Sequence, residues 1–238
     1  MVSGFAVQLL NGLAGASTLF LIAVGLSLIF GVTRIVNFAH GSMFMIGLYV
    51  AYSLTQWLGP ALGGSAVGFW LSILLAALAV GVLGAVIELS ILRRIYGAPE
   101  LFQLLATFAV VLMLRDAALA IWGPDDLLGP KAPGMEGAVE ILGRQFPQYD
   151  LFLIFVGPAV LALLWLLLRR TRLGVMIRAA TQDREMVGAL GVNQAWLFTG
   201  IFALGSALAA LGGALQLPRE PANLALDLTT IGDAFVVV

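Results

Sequence analysis

The sequence predicts an all-α polytopic membrane protein, a bundle of about six transmembrane helices within 238 residues. Three observations carry this. Hydrophobic residues make up 61% of the chain and charged residues 11%, against roughly 45–50% and 25% in soluble domains. The mean hydropathy is +1.04. The polar residues are gathered into a few connections, with apolar runs of about 20 residues between them, the length that crosses the hydrocarbon core.

The first span runs from about Val7 to Val32. It lacks the basic leader and short apolar core of a signal peptide, so it reads as a retained span. Thr33 to Gly41 connects it to a second run, about Ser42 to Leu58, and Gly59, Pro60, Gly63 and Gly64 then make a turn. Span three, about Val67 to Leu92, ends on Arg93 and Arg94. Pro99 and Glu100 suit the opening of span four, where a missing donor is harmless and a carboxylate meets the positive helix end. That span reaches about Trp122, and a long acidic connection (123–150) follows. Span five runs from about Leu151 to Leu168 and span six from about Ala195 to Leu215. Between them lies a basic loop (169–194). The tail ends inside a fresh apolar run without a helix stop signal, so further C-terminal membrane segments are expected. The whole chain, 1–238, reads as one membrane domain.

Lysine and arginine in the short loops set the orientation. With the N-terminus outside, the inner loops hold Arg34, Arg93, Arg94, Arg169, Arg170, Arg172, Arg178 and Arg184, and the outer ones Lys131, Arg144 and Arg219. The basic loop is then cytoplasmic, and 123–150 is external. Small residues recur at Gly205, Ala209 and Gly213 in span six and at Ala77, Gly81 and Ala85 in span three. Such stripes let helix backbones approach closely in lipid.

Several classes fall away. A net charge of −1 gives no basic surface for nucleic acid. There is no cysteine and one histidine, His40, which removes thiol catalysis and any multi-histidine or cysteine metal site. No GxxxxGK[ST], HExxH or GxSxG is present, so ATP hydrolysis by the phosphate-loop route and the common hydrolase mechanisms are excluded. No catalytic residue, metal or cofactor is expected.

Three constellations remain. Arg34, Asn37 and His40 sit between two apolar runs, in a connection too apolar for an ordinary solvated loop. Backbone at membrane depth is tolerated where it is buried in protein or lines a cavity. Asn37, His40 and Gly41 therefore either satisfy backbone groups at a helix break or border a translocation path, as broken transporter helices do. Arg115 and Asp116 lie within span four; as sequence neighbours they do not face one another, and snorkelling toward the interface accounts for them. Glu88, near the inner end of span three, admits the same account. In the basic loop, Arg169, Arg170 and Arg172 need only enforce topology. Asp183 reads as an N-cap, Glu185 as a first-turn acid and Gly191 as a C′ stop. These predict a helix from Arg184 to Leu190 of roughly 10 Å, with Met186, Val187 and Leu190 as its apolar face.

Two long motifs, GLSLIFGVTRIVNFAHGSMFMIGLYVA (25–51) and RTRLGVMIRAATQDREMVGALGVN (170–193), resemble the permease subunit of branched-chain amino acid ABC importers. The resemblance extends to LLATFAVVLMLRD (104–116) and FALGSALAALGGAL (202–215). It implies a bacterial-type inner-membrane permease that works with a second homologous permease, two cytoplasmic ATPase subunits and an external substrate-binding protein. It also implies that a short cytoplasmic helix meets the ATPase. The matching positions are Arg178, Ala179, Asp183, Arg184, Glu185 and Gly191. The competing classes are a secondary transporter or channel for small neutral solutes, and a purely structural membrane partner. Ionisable residues lie mostly near span ends, which favours the importer over a gradient-driven carrier. The implied cargo is a branched-chain amino acid or a related small neutral solute.

Overall fold

A computed structural model describes residues 2–141 and 143–238. Its elements are α1 (Val2–Thr33), α2 (Ala39–Ala61), α3 (Ala66–Ile87), a π-helical turn (Glu88–Leu92) running into α4 (Arg93–Ile95), α5 (Glu100–Trp122), strands β1 (Ala138–Ile141) and β2 (Arg144–Pro147), α6 (Gln148–Arg170), α7 (Arg172–Gln182), α8 (Arg184–Ala189), α9 (Gln194–Ala214) and α10 (Leu226–Val237). Among the described residues, five stretches are long and apolar enough to cross a membrane: 4–33, 66–95, 100–122, 148–170 and 194–214. The chain is an all-α polytopic membrane protein.

The sixth expected span is different in kind. Helix α2 has the length to cross, at 23 residues, but its sequence is more polar and it is not among the five. It packs against α3, α5, α9 and α10. A helix sheltered by protein on most sides does not need to be apolar all round.

Helix α9 forms the axis of the bundle and packs on α1, α2 and α3. Its most apolar window is 72% buried, against 17% for α6 and 22% for α5. The small-residue stripes explain this closeness. A Cβ on Gly205 would stand 2.8 Å from the carbonyl oxygen of Gly25. One on Gly47 would meet the backbone of Ala210, and one on Gly213 the carbonyl of Phe44. Three helices thus approach at contact distance where lipid offers no hydrophobic drive and dispersion must hold them. The outward faces of α5 and α6 stay apolar and exposed, as at Met113, Phe155 and Leu163.

The basic loop and the 123–150 connection mark opposite ends of the bundle. Within the latter, β1 and β2 form an antiparallel hairpin, pairing Ala138 with Pro147 and Ile141 with Arg144, where the sequence suggests only a loop. An isolated bridge between Leu127 and Ala222 ties this connection to the segment after α9.

Candidate functional site

The break between α1 and α2 is built by local hydrogen bonding. Arg34 turns the chain with φ +58°, uncommon for a residue carrying a Cβ. Its N–H still donates to Phe30 at 2.8 Å. The Thr33 hydroxyl donates to Ile29 at 2.8 Å and accepts from the Ile35 N–H at 3.3 Å. Asn37 Oδ1 accepts from the N–H of Ala39, the first residue of α2, at 3.1 Å. His40 is fully buried, and its Nε2 donates to the Ile22 carbonyl at 3.0 Å. A carbonyl only accepts, so Nε2 carries the proton. Asn37 Nδ2, His40 Nδ1 and Ser42 Oγ have no partner among the described residues. Gly41 lies against Asp227 and Ile231 of α10. Asn37, His40 and Gly41 are therefore packed between helices within this chain.

At the arginine-rich end, the loop read as one short helix contains two. Helix α7 is capped by Thr171, whose hydroxyl accepts from the Gly174 N–H at 3.1 Å. It buries Gly174, Ile177 and Ala180. Arg178 donates from Nη1 to the Leu168 carbonyl, pinning α7 to the end of α6. The carbonyl of Ala179 accepts from the Asp183 N–H at 3.0 Å. Asp183 then caps α8, accepting from the Met186 N–H at 3.0 Å, and Gly191 ends it with φ +84°. Of the expected apolar face, Val187 is buried in this chain, while Met186 and Leu190 are 57% and 77% exposed. Glu185 is exposed. The side chain of Arg184 lies outside the described residues.

Glu88 does not snorkel. It is wholly buried, in the π-helical turn, and receives Arg93 through Nε at 3.2 Å and Nη2 at 3.1 Å. The Thr199 hydroxyl donates to it at 2.7 Å and the Tyr96 hydroxyl at 3.0 Å. Arg93 also donates to the Ala195 carbonyl at 2.9 Å. Burial, then the neighbouring Glu88 charge, raise the Tyr96 hydroxyl above its ordinary range, so it remains a donor. The cluster bolts the end of α3 to the first turns of α9, just after α8. Gln103 of α5 joins through the carbonyls of Tyr96 and Ala98, at 3.3 and 2.8 Å. Sequence reasoning missed the cluster because the partners of Glu88 include a threonine 111 positions away.

At the hairpin end, Arg219 pairs with Asp150 at 2.9 Å and donates to Gln216 at 3.3 Å. The Gln216 amide in turn reaches the Thr18 hydroxyl of α1 at 3.1 Å. Arg219 borders two cavities. One, of about 380 Å³, lies under the hairpin beside Lys131, Glu136 and Tyr149. The other, of about 310 Å³, extends between α1, α2 and α10.

Glycine-tight helix crossings, a broken helix and polar cavities between membrane-spanning helices define the class as a polytopic α-helical membrane protein. The chain belongs to the family described as the permease component of the branched-chain amino acid transport system, matched over residues 8–238. It is 30% identical to the high-affinity branched-chain amino acid transport system permease protein BraD of Pseudomonas aeruginosa over 216 residues, covering 87% of this chain and 69% of that one. Against the corresponding LivH protein of Escherichia coli K12 the identity is 28%, covering 89% and 70%. It is also similar to the guanosine ABC transporter permease protein NupQ of Bacillus subtilis, at 26% identity over 94% of this chain and 71% of that one. No solved structure matches the chain.

Proposed function

We propose that the chain is the permease subunit of an ATP-binding-cassette importer in a bacterial-type plasma membrane, with its N-terminus outside. It pairs with a second homologous permease, and two cytoplasmic ATPase subunits drive it. An external binding protein delivers the solute to the 123–150 connection, and α5 and α6 face lipid. The cargo is a branched-chain or related small neutral amino acid, in keeping with the names of BraD and LivH.

The observation that carries this reading is α8. A six-residue helix is marginal alone, yet this one is capped at Asp183 and stopped at Gly191. Its apolar Met186 and Leu190 stand exposed at the arginine-rich end, which loop charge puts on the cytoplasmic side. Arg178, Ala179, Asp183, Arg184, Glu185 and Gly191 form the coupling segment. Its displacement by the ATPases rocks α6 and α9 and alternates access to the path. The break at Asn37, His40 and Gly41 borders that path; its support is buried polar atoms left unpartnered at a helix start.

Co-purification tests the coupling segment. The ATPase subunit is retained by the wild-type chain and lost on Glu185→Arg, which reverses the charge beside Met186. Retention by both chains overturns the assignment.

A further inference from the structure

The polar cavity beside α10 remains without a role. Helix α10 carries two faces. Asp227, Ile231 and Ala234 are buried, with Asp227 and Ile231 lying against Gly41 of α2. Leu226, Thr229, Thr230 and Asp233, spaced three and four apart, form the other stripe, and all four line the 310 Å³ cavity. From the opposing elements come Thr18 and Leu19 of α1, Phe44 of α2, and the neighbouring charges Arg219 and Glu220. The volume is at the lower end of the roughly 300–1,000 Å³ range for small-solute pockets.

Depth within the bundle makes Asp233 informative. Two residues further on, Phe235 packs edge-to-face on Phe38 of the α1–α2 break, with centroids 5.3 Å apart. The break itself contacts Thr107 through the Val36 carbonyl, and Thr107 lies about 10 Å into α5 at 1.5 Å per residue. With the spans and orientation proposed above, Asp233 falls within the hydrocarbon zone, and it is exposed on this chain. A carboxylate facing lipid there is strongly disfavoured, and intramembrane ionisable groups face water-filled paths or partners.

Resting on the importer reading above, we infer that this cavity holds the solute in transit and is built for a small zwitterion. Arg219 receives the carboxylate through the guanidinium donors that Asp150 and Gln216 leave free. Asp233 receives the ammonium group, and Leu19, Phe44 and Leu226 take the apolar side chain. The second cavity meets this one at Arg219, so the Arg219–Asp150 pair stands between an outer vestibule and the holding site. A nucleoside carries neither charge and gains nothing from this pairing.

The absence of cysteine from the chain makes the site directly accessible to chemistry. In cells carrying the complete transporter, Thr230→Cys introduces a thiol into 238 residues that have none, and its modification by a water-soluble, membrane-impermeant thiosulfonate is timed against the unsubstituted transporter. Leucine is expected to slow the reaction, while 4-methylpentanoate, which lacks the ammonium group, and guanosine do not. Adding Asp233→Asn raises the half-protective leucine concentration about tenfold, equivalent to about 1.4 kcal/mol. Immunoblotting of membranes verifies insertion of each variant. A thiol reached only by a lipid-soluble maleimide overturns the site, and so does equal protection by leucine and 4-methylpentanoate. The comparison of ligands needs only the single variant, so poor insertion of the double one leaves the test intact. Uptake by the wild-type transporter separates the two levels. Uptake of guanosine but not of leucine defeats the amino-acid reading itself; leucine uptake without leucine protection defeats only this site.

Discussion

Glu88 is the residue on which the arginine-rich end turns. A buried carboxylate is tolerable only when its oxygens are fully engaged, and here Arg93, Tyr96 and Thr199 supply the donors. Arg93 keeps 31% of its side chain exposed, so the pair is screened on one side and worth less than a fully buried one. Glu88→Gln is expected to cost about 2 kcal/mol. That lowers the melting temperature in detergent by roughly 4–8 °C for a chain of this size. Thr199→Val, which removes one donor and leaves the ion pair, is expected to do about half as much. An unchanged melt for Glu88→Gln would show that the cluster is incidental. The same bonds tie the first turn of α9, just after α8, to the end of α3, so under the proposed coupling a displacement of α8 would reach α3 as well as α9.

Among the elements, α9 decides the packing, and its glycines are what it uses. A side chain at Gly213 meets the Phe44 carbonyl, which cannot move without displacing α2. Gly12, on the exposed side of α1, has nothing within 4 Å. Gly213→Val is therefore expected to destabilise by about 1–3 kcal/mol through overpacking, while Gly12→Ala leaves the melt unchanged. Thermal unfolding in one detergent measures both, and equal melts would contradict the proposed crossing. At this scale the sequence was partly legible. Caps at Asp183, Asn193 and Thr171 are local, since a side-chain oxygen reaches an N–H two or three residues on, and α8 could be placed from Asp183 and Gly191 alone. Helix α7 was not placed. Its Thr171 cap and apolar residues merge with the end of α6, and only the turn at Thr171, held by Arg178 on the Leu168 carbonyl, separates the two. The hairpin escaped for a related reason: four-residue strands with exposed side chains leave almost no period to read.

Over the whole molecule, loop charge sets the proposed orientation: with the N-terminus outside, eight basic residues fall in inner loops and three in outer ones. Single cysteines test the orientation: Lys131→Cys is expected to react with an impermeant reagent on intact cells, and Arg172→Cys only after permeabilisation. The reverse pattern would invert the proposed topology and place α8 outside.

The sequence alone determined the class, five of the six spans it suggested, the family and the capped helix α8. All of these follow from signals confined to one stretch of chain: apolar run length, loop charge, and short motifs. The tertiary structure alone decided that α2 is sheltered rather than lipid-facing, that Glu88 is clamped rather than snorkelling, and that α10 presents a polar stripe to a cavity beside Arg219. These depend on which helices meet. In a chain where nearly every helix is apolar all round, periodicity does not tell a lipid-facing side from a buried one, and only the glycine-to-backbone contacts between α1, α2, α3 and α9 make that choice.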